Sequence, residues 1–193
     1  MKFTPRQTEI INAATELIGE GGVQNLTTKK LAAKMNFSEP ALYRHFKDKN
    51  DILRSILLYF KGNMGEGLKQ VLLENKTGLE KIMDIISYQF NFFMKFPAVI
   101  MVIFSETSFQ GEKKLSITVK NIVDDKKKII EDILLSGQKD KSIRGDISID
   151  QLTNLIMGSM RISVLNWRLH GFEFNLLREG EELQKTIEIL LKN

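Results

Sequence analysis

The sequence predicts an all-α protein of about nine helices, an N-terminal three-helix helix-turn-helix domain followed by a larger helical body. Three observations lead there. Apolar residues recur at three- and four-residue spacing along most of the chain, and no stretch alternates convincingly with period two. The three prolines, at positions 5, 40 and 97, fall where each opens a helix rather than breaks one. Residues 26–53, LTTKKLAAKMNFSEPALYRHFKDKNDIL, hold two short amphipathic helices, a tight turn and a knot of basic and hydroxyl side chains in one unit.

In chain order, Pro5 and the polar residues around it introduce a first helix, 7–19, with Ile10, Ala13, Ala14, Leu17 and Ile18 on one face and Gly21-Gly22 as its stop. Thr27 is placed to cap a second, 28–35. There Leu31 and Met35 share a face, and the small Ala32 lets another helix cross closely. Asn36 makes the turn, because asparagine tolerates positive φ. Ser38 then caps a third helix, 39–46, with Glu39, Pro40 and Ala41 in its first turn and Leu42 and Phe46 facing inward. Ala41, Tyr43, Arg44, His45, Lys47 and Lys49 are left pointing outward. Asp48 or Asn50 caps a fourth helix carrying Ile52, Leu53, Ile56, Leu57 and Phe60, which Gly62, Gly65 and Gly67 are expected to bend or fray. The expected division is 1–48 and 49–193.

The body stays helical. Thr77 caps a segment with Leu79, Ile82, Ile86, Phe90 and Phe93 that ends before Pro97, since the residue preceding proline disfavours the α region. A helix apolar on nearly every side follows over 97–109, then an amphipathic one over 112–135 and a glycine-rich charged loop. Ser148 or Asp150 starts a helix with Leu152, Ile156, Met160, Val164 and Trp167, and 174–191 closes the chain.

Composition narrows the function. The absence of cysteine removes disulfides, thiolate metal sites and cysteine nucleophiles, and fits a cytoplasmic protein. No apolar h-region opens the chain, and its longest apolar run, 98–104, is far below the roughly 20 residues of a membrane helix, so no membrane association is expected. Residues 1–61 carry ten Lys/Arg against six Asp/Glu, a net +4 that accounts for the whole formal charge of the chain. A basic N-terminal module on a neutral body is an electrostatic footprint for a polyanion. No phosphate loop, nucleophile motif or metal-ligand spacing suggests an enzyme or a cofactor. His45 and His170, the only histidines, make no metal site.

The run Phe37-Ser38-Glu39-Pro40-Ala41-Leu42-Tyr43-Arg44-His45-Phe46-Lys47-Asp48-Lys49, with Leu26-Thr27-Thr28 and Leu31-Ala32 before it, resembles the DNA-binding domain of the TetR/AcrR family of bacterial transcriptional regulators. Asn36 stands where glycine is common in that family, a harmless departure given its tolerance of positive φ. The resemblance implies a ligand-binding and dimerisation domain behind the DNA-binding one. It also implies a homodimer with two recognition helices in successive major grooves of a pseudo-palindromic double-stranded operator, and repression relieved by a small molecule. A member of the same fold controlled by a protein partner, or acting as an architectural factor, is the alternative.

Tyr43 and His45 resemble the family's phosphate-contacting pair and Lys49 its phosphate-binding lysine. Thr28, at a helix N-terminus, suits the same task. Base reading falls to the start of the recognition helix that Ser38 caps: Ala41 against a thymine methyl, Glu39 toward cytosine N4, Arg44 toward guanine or phosphate. Glu39 equally suits the helix dipole, Arg44 a solvated backbone contact, and Tyr43 ring packing. For the effector, Phe90, Phe93, Met101, Phe104, Met157, Met160 and Trp167 are the candidate lining of a pocket for a largely apolar ligand, with core packing as the competing role. Glu106, Arg161, Arg168 and His170 are its candidate polar anchors, and each also suits a surface salt bridge.

Overall fold

The computed structural model describes residues 2–73, 75–104 and 112–192, and these form nine helices with no strand among the described residues. They are α1 (Pro5–Asn25), α2 (Thr28–Lys34), α3 (Glu39–Leu42), α4 (Lys49–Leu73), α5 (Gly78–Lys95), α6 (Pro97–Ile103), α7 (Lys113–Lys139), α8 (Ile149–Leu169) and α9 (Leu176–Leu191).

Local chemistry sets most of their ends. α1 begins earlier than its apolar spacing suggested, because Thr4 and Gln7 form a reciprocal capping box around Pro5. It also resumes after the expected stop. Gly21 and Gly22 are non-helical, Gly22 at φ 74°, and one further turn ends at Asn25, whose side-chain Nδ2 donates to the Leu17 carbonyl at 2.7 Å. Thr27 caps α2 through the Lys30 amide at 3.1 Å. Asn36 adopts φ 55°, and the Phe37 amide reaches back to the Ala32 carbonyl at 2.8 Å, closing a Schellman-type turn.

α3 is shorter than the expected 39–46. Regular helix ends at Leu42, and the chain goes on in turns, the His45 and Phe46 amides both donating to the Leu42 carbonyl at 3.0 and 3.2 Å. Leu42 and Phe46 are buried, as their spacing required. Asp48, not Asn50, caps α4. It accepts from the Asp51 amide at 2.8 Å, and the Asp51 carboxylate accepts in turn from the Lys47 amide at 3.0 Å. α4 continues unbroken past its three glycines to Leu73. Gly67 is there for space: a β-carbon would lie 2.1 Å from the Tyr88 hydroxyl.

The packing divides the chain into two compact units, Met1–Asn63 with Phe96–Asn121 and Met64–Lys95 with Ile122–Asn193. In the first, α6 lies on α1 where Gly19 faces Ala98 and Gly22 faces Met101. Phe60 and Phe96 pack at 5.0 Å, and Arg54 of α4 donates to the Thr118 hydroxyl of α7 at 3.3 Å. Only residues 97–103 of the expected 97–109 helix are seen as α6, and the stretch from 105 on, Glu106 included, lies outside the described residues.

In the second unit α5 starts with a Thr77–Glu80 capping box. Asp140 and Ser142 supply further acceptors to the amides of Gly78 and Leu79, at 2.8 and 3.1 Å. α5 then packs on α9, with Phe90 against Gly180 and the Gln184 side-chain Nε2 donating to the Met83 carbonyl at 2.6 Å. α7 reaches Lys139, one turn beyond its expected end, and Ser148 caps α8. α9 begins at Leu176 instead of 174, because Asn175 caps it through the amides of Leu177 and Arg178.

Candidate DNA-binding interface

Every residue singled out for DNA contact lies in the first unit, on or beside the α2–turn–α3 element. Ser38 is exposed and its hydroxyl caps α3 through the Ala41 amide at 3.4 Å. Ala41 is half-buried one turn on. Tyr43, 48% exposed, and Arg44, also exposed, follow the end of α3. For a large aromatic, that exposure favours an external partner over the core.

Two contacts were invisible in the sequence pattern. The Thr28 hydroxyl donates to a Glu39 carboxylate oxygen at 2.7 Å, tying the start of α2 to the start of α3. Glu39 is thereby held in place with its second oxygen left for another donor, and Thr28 offers its backbone amide rather than its hydroxyl proton. The second contact is a three-layer stack: the Arg6 guanidinium sits 4.7 Å from the centre of the Phe37 ring, and Phe37 stacks on His45 at 6.5 Å. The His45 carbonyl also accepts from the Gln7 side chain at 3.3 Å, so the segment carrying Tyr43 and His45 is braced by α1. An aromatic at 37 flanked by a basic residue near the N-terminus and a histidine eight positions later is the signal, but it needs the fold to be read.

Lys49 opens α4 half-buried, and burial pushes its ammonium below the usual lysine range. A lysine partly stripped of water, beside the positive end of a helix, gains more from a phosphate than a solvated one does. Lys49→Ala is expected to weaken binding to every DNA sequence and to flatten the salt dependence of log K by about one unit, while Tyr43→Phe weakens binding without that change. Salt titrations by fluorescence anisotropy measure both, and equal slopes for Lys49→Ala and the natural chain would remove the phosphate role.

In the second unit Phe90, Phe93, Met160 and Trp167 are buried and Met157 is half-buried. Trp167 has structural work as well, donating from its indole to the Phe174 carbonyl at 2.9 Å and meeting Phe172 edge-on at 4.8 Å. Met101 and Phe104, half-buried, belong to the first unit. Arg161 and His170 are exposed and Arg168 is half-buried. Among the described residues no group of three or more His, Cys, Asp or Glu side chains could hold a metal ion, and no single helix is long and apolar enough to cross a membrane.

A helix-turn-helix on a basic unit, in a chain whose other described elements are also helices, defines a DNA-binding transcriptional regulator. Residues 10–56 match the family described as bacterial regulatory proteins, tetR family, and residues 60–191 match that described as YsiA-like protein, C-terminal region. The chain belongs to the TetR family of bacterial regulatory proteins. It is 25% identical over 176 residues to the fatty acid metabolism regulator protein of Bacillus subtilis (strain 168), covering 90% of this chain and 89% of that one. In fold it is similar to the fatty acid degradation regulator FadR from Bacillus halodurans, with TM-score 0.84, 17% identity and 97% and 96% of the two chains covered. It is also similar to the transcriptional regulator FadR from Bacillus subtilis in complex with stearoyl-CoA, with TM-score 0.79, 22% identity and coverage of 95% and 98%.

Proposed function

We propose that this chain represses genes of fatty-acid metabolism and leaves its operator when a long-chain acyl compound binds the C-terminal helices. The observation that carries the proposal is the likeness, over nine-tenths of both chains, to a regulator named for fatty acid metabolism. The buried aromatic side chains of α5, Phe90, Phe92 and Phe93, support it, since an alkyl chain needs apolar walls. Phe90, Phe93, Met157, Met160 and Trp167 remain the proposed lining. Residues 1–48 are the proposed DNA-binding domain and 49–193 the effector and dimerisation domain. The role is regulatory rather than catalytic, and the working compartment is the cytoplasm.

The proposed assembly is a homodimer through α8 and α9. Leu155, Ile162 and Leu169 are 41%, 52% and 66% exposed and fall seven residues apart along α8, a coiled-coil-like seam on one face. α9 adds Ile189 and Leu190. Leu165 and Leu183 are half-buried. The two recognition elements of such a dimer read half-sites about 34 to 36 Å apart, or a multiple of that. α4 is the proposed lever: movement of its far end on effector binding displaces the helix-turn-helix at its near end.

Fragments of the source genome retained by the protein identify the operator, and release of that operator is then followed by anisotropy. Stearoyl-CoA is expected to release it and coenzyme A alone to leave it bound. Release by strongly hydrophilic compounds only would overturn the acyl assignment.

A further inference from the structure

α7 turns a stripe of residues toward the interior of the second unit: Ile122, Lys126, Ile130, Ile133 and Gly137. Steps of four, four, three and four keep them on one helical face. Ile130 and Ile133 are 0% and 4% exposed. Lys126 is the one charged member of the stripe, amid residues that in sequence look like a solvated run, DDKKK. The structure separates that run. Asp124, Asp125 and Lys128 are exposed, and Lys127 pairs with Asp150 of α8 at 2.7 Å and with Glu131 at 3.6 Å. Lys126 falls on the inward stripe, and no carboxylate or carbonyl among the described residues answers its ammonium. Burial alone pushes it down to about 8. The residue as a whole is half-buried.

A second unanswered group lies on α8. Thr153 of α8 is 0% exposed, and its hydroxyl has no hydrogen-bond partner. The Lys127–Asp150 ion pair sets the register of the two helices there. Lys126 is the residue next to one end of that pair, and Thr153 lies within one turn of the other. A desolvated cation and an unmet hydroxyl each cost stability in an apolar interior, and an anionic oxygen satisfies both.

We infer that Lys126 and Thr153 form the head-group subsite of the effector, receiving an anionic oxygen while the apolar remainder lies along the interior of the unit. This rests on the acyl-effector reading and adds what holds the polar end. Two sources share the chemistry, the carboxylate of a free fatty acid and the phosphates of an acyl-CoA thioester.

The test measures binding of palmitate, palmitoyl-CoA and hexadecanol to the full chain and to Lys126→Met, by calorimetry. Lys126→Met is expected to weaken at least one of the two anionic ligands by about 30-fold or more, the lower end of what losing one partner of a buried charge pair costs, and to leave hexadecanol unaffected. Loss confined to palmitate assigns a carboxylate, and loss confined to palmitoyl-CoA assigns the phosphates. Without ligand, Lys126→Met is expected to melt no lower than the natural chain, because a desolvated charge is gone. Thr153→Val, nearly isosteric, is expected to weaken the same anionic ligand several-fold and to spare hexadecanol. Equal effects on all three ligands, or no effect on any, would overturn the subsite while leaving the acyl effector in place. If none of the three binds the natural chain, the acyl effector fails and the subsite with it.

Discussion

A chain carrying Ile162→Asp and Leu169→Asp is expected to run as a monomer in light scattering and to bind its operator about 100-fold or more weakly, because the second half-site no longer adds to the first. The argument begins with exposure. Ile162 and Leu169 are 52% and 66% exposed, so in one chain neither contributes much to the core. Substitutions at such positions change stability by only about 0.5 kcal/mol, and the fold survives them. In the proposed dimer the same positions form the apolar seam, and two carboxylates from each chain would meet at short range in a desolvated contact. Circular dichroism should therefore report an unchanged helical content while association and DNA binding are lost together. A double variant that stays dimeric would place the interface elsewhere. A monomer with undiminished operator affinity would remove the dimer from the mechanism.

Gly78→Ala is expected to destabilise the protein by about 3 kcal/mol, at the top of the usual range for overpacking, and to lower the melting temperature by roughly 6 to 12 °C for a chain of this size. A β-carbon at Gly78 would lie 2.3 Å from Gly137 Cα, 2.5 Å from its amide nitrogen and 2.8 Å from the Ile133 carbonyl oxygen. All three are backbone atoms of α7, which cannot step aside as a side chain tip can. Moving α7 also strains the bonds from Gly78 to Asp140 and from Leu79 to Ser142. Gly62→Ala and Gly65→Ala are the controls, since no atom lies within 4 Å of either added methyl. Each should stabilise α4 by up to about 1 kcal/mol through helix propensity. Urea denaturation of the three variants separates the cases, and a Gly78→Ala midpoint equal to that of the natural chain would show that α5 and α7 can part without loss.

Where a side chain acts on its own backbone, the sequence was readable. Thr27, Ser38 and Thr77 cap their helices, Asn36 takes positive φ, and Pro97 opens α6, because each acts within four residues of itself. The readings that fell short depend on long-range partners. α3 stops at Leu42 despite a continuing apolar pattern, and α1 gains its last turn from an Asn25 side chain bonded eight residues back. At the DNA interface, the Thr28–Glu39 bond spans eleven residues, and Arg6 reaches Phe37 from another helix. Lys126 was hidden for a different reason. Its immediate neighbours are all charged, and only counting in fours from Ile122 and Ile130 shows that it shares their face.

Neither compact unit is built from one continuous stretch of chain. The first needs residues up to Asn121 although its helix-turn-helix is complete by 53, and the second begins at Met64 and closes only near the C-terminus. On a ribosome adding about 5 to 20 residues per second, roughly 3 to 12 s separate the appearance of Asn63 from that of Asn121. Until α6 emerges, the α1 surface around Gly19 and Gly22 has nothing of its own to cover it, and the finished DNA-reading element rides on an unfinished foundation. The order of synthesis thus delivers the reading head first and its support last.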